Sequence, residues 1–223
     1  MASNTFKGFV YGAVAAASYG LNPLFTLPLY ADGVSADSVL FYRYGLGVVM
    51  LALLMKVQKQ SFALHRSEVL PLLVMGMLFA FSSLTLFQSY NYMDAGIAST
   101  ILFVYPVLVA VIMAVFFKEK VSVITAVSLA FVGISLLYKG EGGKTLSLIG
   151  VLLVFISSLT YAIYIIGVNR SSLKDMPTAK LTFYALLFGL SVFVVRLKFC
   201  THLDPISTPW LWINPIGLAL FPT

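Results

Sequence analysis

With 223 residues, 60% of them hydrophobic and 10% charged, the chain stands far from soluble proteins, in which about a quarter of residues are charged; it reads as an all-α polytopic membrane protein in contact with a lipid bilayer. Its net charge of +6 is spread over short polar breaks, which excludes a basic stripe for nucleic acid and leaves the charge to orient the chain in the membrane. The single Cys200 excludes an internal disulfide and a cysteine metal cluster.

The apolar runs are long and continuous, as helical spans of about 20 residues require, and unlike the alternating segments of about 10 residues in a barrel. The first runs from Gly8 to Tyr30. Lys7 and the small residues Ala13 to Ala17 imitate a signal peptide, but apolar sequence continues to Leu29, so the segment is expected to stay as a span. The next runs are Ser38 to Met55, Val69 to Tyr90, Ala95 to Phe117, Val121 to Tyr138, Leu146 to Val168 and Leu181 to Val195. An eighth begins near Ile206 and reaches Thr223, crowded by Pro205, Pro209, Pro215 and Pro222, with Trp210 and Trp212 as interfacial anchors. The expectation is about seven complete helices plus part of an eighth.

The chain also resembles itself at an offset of 142 residues, which puts Gly8, Ser18-Tyr19, Phe41-Tyr42 and Gly47 on Gly150, Thr160-Tyr161, Phe183-Tyr184 and Gly189 without a gap. Residues 1–142 then form a first five-helix repeat and residues 143–223 an incomplete second one, holding helices 6, 7 and the start of 8. Five is odd, so the second copy enters the membrane from the other face. Two inverted repeats are a design shared by many secondary transporters. An ungapped second copy implies about 60 further residues and helices 9 and 10. Lys and Arg divide nine to four between alternate sides, which predicts a cytoplasmic N-terminus, in the plasma (bacterial inner) membrane.

Polar residues recur at helical spacing within the spans: Ser18, Asn22 and Thr26; Ser82, Thr85 and Ser89; Ser157, Tyr161 and Tyr164. Such stripes commonly join helix to helix. Their convergence at one depth instead suggests a midplane cavity containing Ser18, Asn22, Ser82, Thr85, Gln88, Tyr105, Ser158 and Tyr161. Pro23 and Pro106 add helix breaks, which at membrane depth belong where protein or a water-filled cavity satisfies the freed backbone. Arg43 is the one charge well inside a span. It either snorkels or pairs with Asp32, Asp37 or Asp94, or else contacts an anionic group of a solute.

No carboxylate lies in mid-span, and His65 and His202 fall in loops. Neither H-E-x-x-H nor a phosphate-binding loop occurs, so no enzyme or ATP-driven machinery, cofactor or metal site is expected.

Ser18-Tyr19-Gly20, Phe41-Tyr42-Arg43 and above all Ala98 to Leu137, with Pro106 in mid-helix, Glu119-Lys120 at the following turn and Gly133 beyond, resemble the EamA family of the drug/metabolite transporter superfamily. Tyr19 stands where that family often has Trp. The resemblance implies ten helices in two inverted repeats, alternating access, and export of a small organic metabolite such as an amino acid. By it Glu119, Lys120 and Gly133 are motif positions. The sequence reading is therefore a secondary transporter of a small molecule. A membrane-embedded enzyme acting on a lipid-linked substrate and a non-transporting partner subunit stay open as alternatives.

Overall fold

The structure is a computed structural model that describes residues 17–18, 20–118 and 147–221. The expected fifth span, with Glu119, Lys120 and Gly133, lies outside the described residues. Those that are described form α1 (Asn22–Ala31), α2 (Ala36–Val57), α3 (Arg66–Ser89), α4 (Ala95–Leu102), α5 (Tyr105–Phe117), α6 (Leu148–Arg170), α7 (Thr178–Arg196), a 3-10 turn (Pro209–Trp212) and α8 (Ile213–Leu220). No strand occurs among the described residues.

Five runs are long and apolar enough to cross a membrane: α2, α3, α4 with α5 as one stretch, α6 and α7. Their ends fall within three residues of the sequence expectation. Local chemistry fixes the starts. Ser35 caps α2, accepting from the Ser38 amide, and the Asp94 carboxylate caps α4 through the Gly96 and Ile97 amides at 2.8 and 3.1 Å. At α3 the Glu68 side chain reaches back to the His65 amide at 2.8 Å. The last helix begins later than Ile206. Pro205 and Pro209 disfavour helical backbone in the residues before them, so the chain stays irregular to Thr208 and becomes α-helical only at Ile213.

The central helix is α3, which packs against α6 and α7; α2 packs on α7, α8 on α1 and α2, and α4 and α5 on α6. Lipid-facing sides carry exposed Leu53, Leu70, Leu148 and Val195. Lipid is as apolar as these side chains, so close approach of backbones and interhelical hydrogen bonds must hold the bundle. Gly76 of α3 and Gly189 of α7 supply the approach. A Cβ on Gly76 would lie 2.8 Å from the Ala185 carbonyl oxygen, and one on Gly189 would lie 3.1 Å from the Gly76 carbonyl oxygen.

Two features reproduce the 142-residue offset. Ala36 opens α2 and Thr178 opens α7, at corresponding positions. Tyr42 Oη donates to the Asp204 carbonyl at 3.0 Å, and Tyr184 Oη donates to the Phe62 carbonyl at 2.5 Å. Both donors are 142 residues apart, and so are both acceptors. Each tyrosine also stands edge-on to the preceding phenylalanine, Phe41 or Phe183, with ring centroids 5.9 and 4.9 Å apart. The two bonds sit at opposite ends of the helix pair α2 and α7.

Candidate functional site

The candidate site begins at two helix interruptions. Between α4 and α5 the chain turns at Phe103 and Val104, and Pro106 sits in the first turn of α5. Proline has no N–H, so it leaves the carbonyl four residues earlier, that of Leu102, without its helical partner. Ser158 of α6 covers that carbonyl: its Oγ lies 3.2 Å from Leu102 O, and 2.9 Å from Val154 O in its own helix. The first helix likewise turns at Leu21, with Pro23 in the first turn of α1.

Tyr105, freed at the start of α5, stands edge-on to Tyr161 with centroids 4.9 Å apart. Tyr161 stacks on Tyr164 at 5.8 Å, and Phe79 of α3 closes the group at 5.3 Å from Tyr164. Tyr105 and Ser158 each lie within a residue of the middle of their spans, so the aromatic group occupies mid-bilayer depth. Of the sequence-predicted residues, these three, Tyr105, Ser158 and Tyr161, come together most closely.

Ser82 and Thr85 serve helix joints. Ser82 Oγ donates to Ser157 O at 3.0 Å while Ser157 Oγ donates to Ser82 O at 2.7 Å, a reciprocal link between α3 and α6. The sequence reading had favoured Ser158 over its neighbour, yet Ser157 makes this joint. Thr85 bonds back to the Phe81 and Ser82 carbonyls of α3, each at 3.0 Å. Interhelical hydrogen bonds in membranes average about 0.6 kcal/mol and reach about 1.7. Ser82→Ala is therefore expected to lower unfolding free energy by about 1 kcal/mol in detergent thermal denaturation, and Ser82→Ala with Ser157→Ala by less than twice that, because the two share one joint.

Arg43 is inside the bundle, 1% exposed, with its guanidinium 5.6 Å from the Phe87 ring centroid. Tyr30 Oη donates to the carbonyl of the same Phe87 at 2.9 Å, so α1, α2 and α3 meet there. The acids weighed as partners have other engagements: Asp37 pairs with Arg196, Asp32 accepts from Ser207 at 2.9 Å, and Asp94 caps α4. Asn22 is wholly buried on α1, as is Thr26 one turn on, a residue that the sequence reading left out of the site. Its spacing of four from Asn22 was the signal. Ser18 is half-buried. Gln88 lies apart, one residue from the end of α3, accepting from Asn91 at 3.4 Å.

At the Tyr42 end the linker before α8 is held by Asp204. Its carboxylate accepts from the Ser35 amide at 2.9 Å, from the Ser35 hydroxyl, and from Ser38 Oγ at 2.9 Å. The Ser35 side-chain bond, then the Ser35 backbone bond, hold its carboxyl below the usual aspartate value. A carboxylate depressed by folding contributes stability above its unfolded pKa and loses it as pH falls through the folded one. The linker is thus expected to stay docked at neutral pH and release only below about pH 4. Hydrogen exchange at Ser35 and Ser38 across that range checks this, with Asp204→Asn as the pH-independent reference.

Comparison with known proteins bears on this arrangement. A family model described as the EamA-like transporter family matches residues 6–138, more than half of the chain. No curated protein matches. A solved structure, described only as the crystal structure of a protein, superimposes with a TM-score of 0.72 over 96% of this chain and 74% of its own, at 16% identity, a likeness of fold.

Proposed function

We propose that this chain, which belongs to the EamA-like transporter family, is a secondary transporter that exports a small polar organic solute by exposing one central site alternately to the two sides of a multi-pass membrane fold. Membership in a transporter family and five apolar spans establish the broad class. The observation that carries the mechanism is the pair of tyrosine bonds, Tyr42 to Asp204 and Tyr184 to Phe62. Proteins gain such a match at opposite ends from inverted duplication, and alternating access in inverted-repeat carriers is a rocking of one half against the other about a midplane site.

Helix packing supports the same exchange. When residues 1–142 are swapped with the part from 143 onward, α1 trades with α6, α2 with α7 and α3 with α8. The contact of α3 on α6 then maps onto α8 on α1, α3 on α7 onto α8 on α2, and α2 on α7 onto itself. Each tyrosine holds the loop that leads into α3 or α8, so each bond closes one face. In this reading the solute sits among Asn22, Arg43, Tyr105 and Tyr161, while Ser82, Thr85 and Ser158 keep the surrounding helices in register. The N-terminus is cytoplasmic, and Phe62 is at the cytoplasmic end.

Purified protein in sealed liposomes, loaded with a panel of metabolites and assayed for efflux, tests the proposal. Saturable efflux of at least one polar solute is expected, and Tyr105→Ala with Tyr161→Ala is expected to reduce it at least about tenfold by removing mid-bilayer contacts. A protein that moved no member of the panel and instead released a product from a lipid-linked substrate would overturn it.

A further inference from the structure

Asn22 and Thr26 are both wholly buried, and neither the amide nitrogen nor the amide oxygen of Asn22, nor the hydroxyl of Thr26, has a hydrogen-bond partner among the described residues. Buried polar groups are almost always satisfied, and each one left unmade costs about 1–3 kcal/mol. The rest of the buried set obeys that rule. Ser158, Thr85 and Thr160 each bond to the carbonyl four residues earlier in their helices, and Asn214 donates to Leu211 O at 3.2 Å. Thr26 forgoes the same local bond.

The unpaired atoms are clustered. Asn22 and Thr26 lie on one face of α1, just past the interruption at Leu21, and one further turn brings Tyr30, whose hydroxyl meets α3 at Phe87. The face therefore looks into the bundle toward α3. This fits a site whose polar groups are left open for a visitor.

We propose that Asn22 and Thr26 form a recognition subsite for an uncharged solute group that donates and accepts side by side, of the carboxamide kind. The proposal rests on the transport reading above and names the chemistry of its solute. A primary amide offers one acceptor and two donors in a plane, so a carboxamide pairs with it head to head and satisfies both ends of Asn22. A carboxylate leaves Oδ1 without a donor, and an ammonium leaves Nδ2 without an acceptor. Among the described residues no carboxylate lies beyond the first turn of a span to balance a cation. The Thr26 hydroxyl adds a third contact, able to give or accept.

Sites with buried hydrogen-bonding groups reject analogues lacking the partner far more strongly than apolar pockets reject a missing methylene, by up to about 10⁴-fold or more. Binding is measured by titration of the full chain in lipid nanodiscs with matched probes: nicotinamide, nicotinate and methyl nicotinate, and glutamine beside glutamate. In at least one set the amide is expected to bind about 100-fold tighter than its acid or ester. Asn22→Leu is expected to abolish that preference and to raise the Tm of the unliganded protein, because the orphaned amide is gone; Asn22→Ala abolishes the preference without that gain. Thr26→Val weakens amide binding about tenfold, and Ser191→Ala, on an exposed site of α7, changes nothing. Equal binding of amide and acid, binding of no amide, or a preference that survives Asn22→Leu overturns the subsite. Efflux of other solutes in the liposome assay, with no amide preference, rejects this subsite alone, whereas absence of any efflux rejects the transport reading beneath it.

Discussion

Gly76→Val is expected to remove the folded protein from the membrane fraction. The position where its Cβ would stand is 2.8 Å from the Ala185 carbonyl oxygen, 2.9 Å from the Phe188 Cβ and 3.3 Å from the Gly189 nitrogen. Two of the three obstacles are backbone atoms, which a rotamer change cannot move. Retreat of α3 from α7 is no remedy, since α3 is joined to α6 on its other side through Ser82 and Ser157. Overpacking a tight core costs about 1–3 kcal/mol per extra group, and valine adds three carbons at a helix crossing. Alanine at position 76 is expected to lower the detergent Tm while still yielding protein. Gly45→Ala is the control: nothing lies within 4 Å of its Cβ position, and alanine favours the helix by about 0.5–1 kcal/mol. Fluorescence-detected gel filtration of membrane extracts separates the three outcomes. Equal yields of Gly76→Val and Gly45→Ala would show that α3 and α7 do not meet there.

Tyr42→Phe and Tyr184→Phe are expected to move the same equilibrium in opposite directions. Each change removes one hydroxyl-to-carbonyl bond and keeps the ring against Phe41 or Phe183. A neutral hydrogen bond contributes about 1 kcal/mol, roughly a fivefold shift between two states. With a single reporter cysteine at position 105, Tyr184→Phe raises labelling from the Phe62 side about fivefold and lowers it from the Asp204 side. Tyr42→Phe does the reverse, and the double variant returns toward the starting ratio. Shifts of the same sign would mean that the two bonds merely staple loops.

Much of this fold was legible in the chain because lipid imposes one pattern on every span: about 20 apolar residues between polar breaks. Arg66 to Ser89 and Leu148 to Arg170 stand out on that ground alone. The start of the last helix was less legible, because Ile206 is apolar while Pro205 and Pro209 govern the backbone around it. Polarity at helical spacing drew attention to Asn22 and Ser82, but spacing does not tell a joint from an open site. Only the partner decides: Ser82 has Ser157, 75 residues away, and Asn22 has none. Gly76 was invisible for a similar reason. It is one of 16 glycines, and its constraint comes from Ala185 and Phe188 on another helix. The five identities at an offset of 142 gained their weight in the same way, once Tyr42 and Tyr184 each met the carbonyl that the offset predicts.

The central claim is that the two halves cross the membrane in opposite senses, and Cys200 offers the most direct measurement. This exposed cysteine follows α7, and Gln58, at the end of α2, is its counterpart 142 residues earlier. In intact cells a membrane-impermeant maleimide is expected to label Cys200 from outside. In a Cys200→Ser background, Gln58→Cys is expected to react only after the membrane is opened. Labelling of both positions from the same side would contradict the inverted repeat.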